Sequence, residues 1–145
     1  MATVTFVLGY CGSGKSFVAD QMERNGARKW DEGFAMEENL PRNLQDLVDT
    51  LRAGRDCVVV EIQFCSKENR DTITTLLKAK VPDVKIEWLA FENNLALANE
   101  NCRRRRNKGD AEIHVQTNTV GIGDKYTIPE GATLRAIYRL SEEGT

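Results

Sequence analysis

The run Gly9-Tyr10-Cys11-Gly12-Ser13-Gly14-Lys15-Ser16 decides how this 145-residue chain is read, because it has the form G-x-x-x-x-G-K-[ST]. Such a loop works only between a buried strand and the first turn of a helix, and both flanks fit. Val4 to Leu8 is a short apolar, β-branched run of the kind that parallel sheets bury on both faces. Ser16 to Arg24 reads as a helix, with Val18 and Met22 four residues apart on one face. Glycines let the backbone turn tightly and approach an anion, successive N–H groups point inward, and the helix N-terminus adds its positive dipole end. The expected ligand is a nucleoside triphosphate, ATP with Mg2+. Gly9, Cys11, Gly12, Ser13, Gly14, Lys15, Ser16 and Phe17 would line its phosphates, with the Lys15 ammonium on the β- and γ-phosphates and the Ser16 hydroxyl on the metal.

Composition bounds the rest. The length suits one domain spanning 1–145. A hydrophobic share of 41% with 29% charged residues is that of an ordinary globular protein. No apolar run is long enough to span a bilayer, and the N-terminus lacks the pattern of a secretory leader, so a cytoplasmic protein without a membrane partner is expected. Cys11, Cys57, Cys65 and Cys102 are scattered, which suggests neither a zinc site nor a disulfide framework. They read as buried hydrophobes, except Cys11, whose place in the loop beside Lys15 favours thiolate. A net charge of −2 disfavours a surface built for nucleic acid, although a local basic patch stays open.

Along the chain, strand and helix patterns alternate at short intervals, the mark of an α/β sheet. Ala27 to Trp30 is a weak second strand. Leu40, Leu44, Leu47, Val48 and Leu51 form the apolar stripe of a second helix, with Asn39 as cap, Pro41 in its first turn and Gly54 at its end. Cys57 to Phe64 reads as a central strand buried on both faces. Ser66 opens a third helix ending before Pro82, Val84 to Phe91 is a fourth strand, and a fourth helix runs from about Asn94 to Asn107. Further on, 111–120 reads as helical and 128–131 as a turn. Leu134, Ala136, Tyr138 and Leu140 alternate with arginines like an edge strand with those four facing inward. Trp30 and Trp88 read as core, and His114 is assigned no catalytic role.

Phosphoryl-transfer chemistry needs a metal anchor, a group that orients the acceptor hydroxyl, and cations for the transferring charge. Glu61 follows the apolar run of the third strand. There a buried carboxylate calls for Mg2+, a metal-bound water or Lys15, or else for an arginine in a structural pair. Asp31 is the preferred general base, with Glu32 as its rival, and a solvated loop or helix cap is the other reading of both. Arg103-Arg104-Arg105-Arg106 end the fourth helix. A lid over the triphosphate around 103–115, a cation-decorated helix terminus and a nucleic-acid patch are the three readings, of which the lid is preferred.

Taken together, the loop near the N-terminus, an acidic residue after strand two and an arginine-rich helix after strand four resemble the small P-loop kinases. That group includes adenylate kinase-like enzymes, polynucleotide 5′-kinases and zeta-toxin-related ATP-binding proteins. The resemblance spans about residues 3 to 110. It implies a three-layer P-loop NTPase fold with a five-stranded, mainly parallel sheet in the order 2-3-1-4-5. It also implies that Asp31 matches the substrate-hydroxyl base and that Arg103 and Arg106, or their neighbours, match lid arginines. The implied activity is γ-phosphoryl transfer to a hydroxyl of a small molecule or nucleotide. The alternatives are a nucleotide-binding module without transfer and a 5′-hydroxyl nucleic-acid kinase. Two features set the chain apart: Glu61 stands where an Asp or a Gly-rich element is more usual, and the lid insertion is very short; with only Phe34 to Gly54 between strands two and three, a full nucleotide monophosphate-binding domain is absent as well.

Overall fold

The computed structural model describes residues 2–104 and 110–139. Five parallel strands, β1 (Thr3–Leu8), β2 (Arg28–Trp30), β3 (Cys57–Val60), β4 (Lys85–Phe91) and β5 (Thr133–Arg135), lie in the order β2-β3-β1-β4-β5. Between them run α1 (Lys15–Arg24), α2 (Leu40–Arg52), α3 (Lys67–Lys80), α4 (Leu95–Arg104) and α5 (Ala111–Gln116). The chain steps one way from β1 to β2 and the other way thereafter. Right-handed crossovers therefore place α1 on one face of the sheet and the touching pair α2 and α3 on the other. That reversal beside β1 puts the Gly9–Ser16 loop at the carboxyl-end crevice where such sheets bind ligands.

The apolar runs become the strands closest to the centre. All of β3 is buried, and Val58 and Val59 are fully inaccessible; each such side chain contributes about 1.5–3 kcal/mol relative to an exposed one. Phe6 on β1 is in register with Val59 and Trp88, and its ring stacks on Trp88 at 4.9 Å. The predicted stripe of α2 faces inward, with Leu44, Leu47, Val48 and Leu51 buried. Ser66 caps α3 through Asn69 N. Asn39 stands at the head of α2 but donates its amide to the Gly33 carbonyl at 3.4 Å and caps nothing.

Two expectations are corrected. The third strand stops at Val60 instead of reaching Phe64, because the Glu61 carboxylate accepts from Gln63 N and turns Ile62–Cys65 into a 3-10 helix. The last strand keeps ladder pairing over Thr133–Arg135 only, and its inward phase differs from the predicted one: Ile137 is buried while Leu134 is 64% exposed. The Glu92 N–H donates to the Arg135 carbonyl at 2.8 Å as the end of the ladder, and beyond it the Glu92 carboxylate accepts from Ile137 N at 3.1 Å while the Ile137 side chain joins the core.

The helical reading of 111–120 becomes α5 followed by a wider π turn, Thr117–Ile122, around the fully buried Asn118. Among the described residues no helix is long and apolar enough to cross a membrane.

Candidate active site

β1 ends at Leu8 and releases a loop whose sharp turns rest on two glycines, Gly12 at φ +91° and Gly14 at φ +108°. Gly12 is also sterically locked: a Cβ there would lie 2.4 Å from the Ala98 carbonyl oxygen. Tyr10 anchors the loop from behind, its buried hydroxyl 2.7 Å from the Gly123 carbonyl oxygen. Gly14 occupies the N-cap of α1 and supplies no side chain to cap it. The first-turn N–H groups have no helical partners, so they are left for an anion.

The loop borders a cleft of about 280 Å³ whose walls include Lys15, Ser16, Glu32, His114 and Tyr138. Lys15 is buried beneath the loop, donating to the Gly9 carbonyl at 2.7 Å and to Glu32 Oε1 at 2.9 Å. Burial pulls the ammonium's pKa down, but attraction to Glu32, with smaller contributions from Cys65 and Cys11, carries it above the ordinary lysine value. Lys15 is thus a fixed cation. The other Glu32 oxygen accepts from Ile62 N at 2.8 Å, so this carboxylate ties the loop lysine to the turn after β3.

The neighbouring Asp31 lies elsewhere. It is 68% exposed and 3.8 Å from Lys29 Nζ, which also pairs with Asp20 at 2.6 Å and Glu23 at 3.6 Å. Successive residues at a strand end point to opposite sides, so only one of Asp31 and Glu32 reaches the cleft, and it is Glu32.

Glu61 is 2% exposed, and three amides occupy it: Gly33 N at 2.9 Å and Ala35 N at 3.2 Å on one oxygen, Gln63 N at 3.1 Å on the other. Burial and then repulsion from Glu32 raise its pKa, against which the three amides pull down. Its place in the structure is a clasp between the segments after β2 and β3. The chemistry of the cleft suits Mg2+, which takes few protein oxygens and keeps waters and phosphate oxygens: Ser16 and the half-exposed Glu32 present hard oxygen donors beside Lys15. Among the described residues no group of three acidic, cysteine or histidine side chains is placed to hold a metal without phosphate.

Arg103 is half exposed and pairs with Glu112 at 3.3 Å, joining α4 to α5, and Arg104 pairs with Glu100. Arg106 lies outside the described residues, as does Arg105. A second cavity, about 430 Å³, adjoins the cleft through shared Gly14, Phe17 and Tyr138, and Phe91 and Arg135 also line it. The buried Ser13 hydroxyl in its wall has no hydrogen-bond partner among the described residues. His114, given no catalytic role from the sequence, and Tyr138, read there only as an inward residue of an edge strand, both line the cleft. Sequence reasoning missed Asn118, whose amide pairs with both backbone groups of Cys11.

No family model matches this chain, and no curated protein matches its sequence. Solved structures do match. A gluconokinase from Sinorhizobium meliloti is similar at a TM-score of 0.60 and 18% identity over 95% of this chain and 83% of that one. A sugar kinase from a Janibacter species, solved unliganded, is similar at 0.57 and 13% over 94% and 85%. These likenesses establish an α/β P-loop kinase-like fold.

Proposed function

We propose that this chain is a phosphotransferase that binds ATP with Mg2+ and moves the γ-phosphoryl group to a hydroxyl of a small polar acceptor. The observation that carries the reading is the 2.9 Å contact between Lys15 and Glu32 in a cleft that Ser16 also lines. A cation for the phosphates, a metal ligand and a carboxylate for the acceptor converge there, the set that phosphoryl transfer needs.

On binding, Lys15 exchanges Glu32 and the Gly9 carbonyl for phosphate oxygens, and the first-turn amides of α1 hold the rest of the chain of phosphates. Ser16 would hold Mg2+, which when bound would supply neutralising charge. The apolar cavity beside the loop receives the base against Phe17, Phe91 and Tyr138. Glu32, released by Lys15, accepts the acceptor's hydroxyl proton as the new O–P bond forms and the bond between the γ-phosphorus and the β–γ bridging oxygen breaks, freeing ADP. Asp31 and its lysine stay outside this step. Arg103 and Arg106 are the proposed cations for the charge of the transferring group.

The two solved neighbours are named for sugar-type acceptors, so polyhydroxylated small molecules are the first acceptors to assay. Calorimetry with Mg·ATP and transfer of labelled γ-phosphate are the tests. Lys15→Ala should abolish binding. Glu32→Gln should keep binding and lose transfer by at least about 100-fold, the lower range for a general base. Full transfer by Glu32→Gln with loss in Asp31→Asn would return the base to Asp31. Hydrolysis without transfer to any acceptor, 5′-hydroxyl oligonucleotides included, would make the chain a nucleotide-binding module.

A further inference from the structure

We infer that two buried asparagines far from the motif, Asn118 and Asn101, are positioning residues that hold the phosphate loop ready for an anion and tie it to the base cavity. This rests on the nucleotide reading of the cleft. Asn118 is fully buried, and both its N–H donors and its oxygen are engaged. Its oxygen accepts from Cys11 N at 2.7 Å, and its nitrogen donates to the Cys11 carbonyl at 2.9 Å and to Asn99 Oδ1 at 3.0 Å. Asn101, 1% exposed on α4, donates to the Gly12 carbonyl at 3.0 Å and to the Tyr138 carbonyl at 2.8 Å.

Two consecutive loop carbonyls are thereby held from outside the motif. In a planar trans peptide the C=O of one residue and the N–H of the next point opposite ways. Holding the Cys11 carbonyl against Asn118 therefore directs the Gly12 N–H away from it, so these side-chain contacts set the shape of the loop. Only a carboxamide can donate and accept in this fork. Aspartate lacks the donor, and leucine, although similar in size, lacks both. Asn101 adds a second linkage, because Tyr138 lines both the phosphate cleft and the base cavity. The seat of the base and the seat of the phosphates are thus joined through one side-chain nitrogen.

The test is calorimetric titration of the intact chain and its variants with two probes, tripolyphosphate, which occupies the cradle alone, and Mg·ATP, which also fills the base cavity. Asn118→Ala should weaken both about tenfold, the order expected for losing a neutral hydrogen bond or two. Asn101→Ala should weaken tripolyphosphate about threefold, because the Gly12 carbonyl is released, and Mg·ATP about tenfold, because Tyr138 is released with it. A purely structural role would lower the melting temperature without changing that ratio. If Asn118→Ala does not fold, Asn99→Ala, which removes the outer support of the Asn118 amide together with an exposed bond to Thr119, should weaken both probes several-fold. Unchanged affinities in the folded variants, or parallel losses of both probes in Asn101→Ala, would overturn the inference while wild-type binding stands. Failure of the wild type to bind either probe would instead overturn the nucleotide reading, and this inference with it.

Discussion

Replacing Gly12 by alanine separates two costs that the phosphate loop combines. At φ +91° an L-residue is strained, by about 1–2 kcal/mol. The added Cβ would also sit 2.4 Å from the Ala98 carbonyl oxygen and 3.0 Å from Cys102 Sγ. The first of these is backbone and cannot swing aside, so α4 must shift, at about the 1–3 kcal/mol typical of overpacking. Gly14→Ala is the control. Its φ of +108° carries the same backbone strain, but the nearest atom to its Cβ is Tyr138 Cδ1 at 3.4 Å, an ordinary contact. The difference between the variants therefore isolates the clash, about 1–3 kcal/mol. With an m-value of about 2 kcal/mol/M, the urea midpoint of Gly12→Ala should lie about 0.5–1.5 M below that of Gly14→Ala. Equilibrium unfolding followed by tryptophan fluorescence and far-UV circular dichroism measures both. Equal midpoints would refute the packing of α4 on the loop.

The Glu61 carboxyl gives a pH signature. Its pKa is raised above the ordinary 4.5 by burial and by Glu32, so the stabilisation from its protonated form is complete below that value and is lost as pH rises through the folded-state value. Glu61→Gln cannot ionise, so the stability of the wild type relative to this variant should decline as the pH of the denaturation series rises from 4 to 7; a constant or growing difference would contradict the assignment. Cysteine alkylation at pH 8 should modify Cys11 first, since it is partly exposed while Cys57, Cys65 and Cys102 are buried and burial pushes the Cys65 thiol up to about 11. Peptide mass spectrometry should show Mg·ATP slowing that reaction, and Cys65 labelling ahead of Cys11 would argue against the loop's placement.

The helices and the inner strands were legible wherever burial imposes a period: the α2 stripe and the all-apolar β3 both sit as their patterns demanded. Boundaries failed where a single side chain competes with the backbone, as Glu61 does by turning the chain after Val60 and Glu92 by taking the Ile137 amide beyond the last strand. Local sequence shows that such a residue is polar but not which distant amide it meets.

By itself the chain of residues determined the phosphate loop, because a glycine pattern with Lys15 and Ser16 constrains backbone and charge within eight neighbouring positions. Which of Asp31 and Glu32 meets Lys15 belonged to the tertiary structure, since adjacent carboxylates at a strand end face opposite ways and only packing says which side holds that lysine. The same holds for Asn101, Asn118 and Tyr138. Each is unremarkable in its own segment, and each meets the loop only because the sheet order and the return of the chain after α4 bring segments about ninety residues or more apart within hydrogen-bond or van der Waals reach.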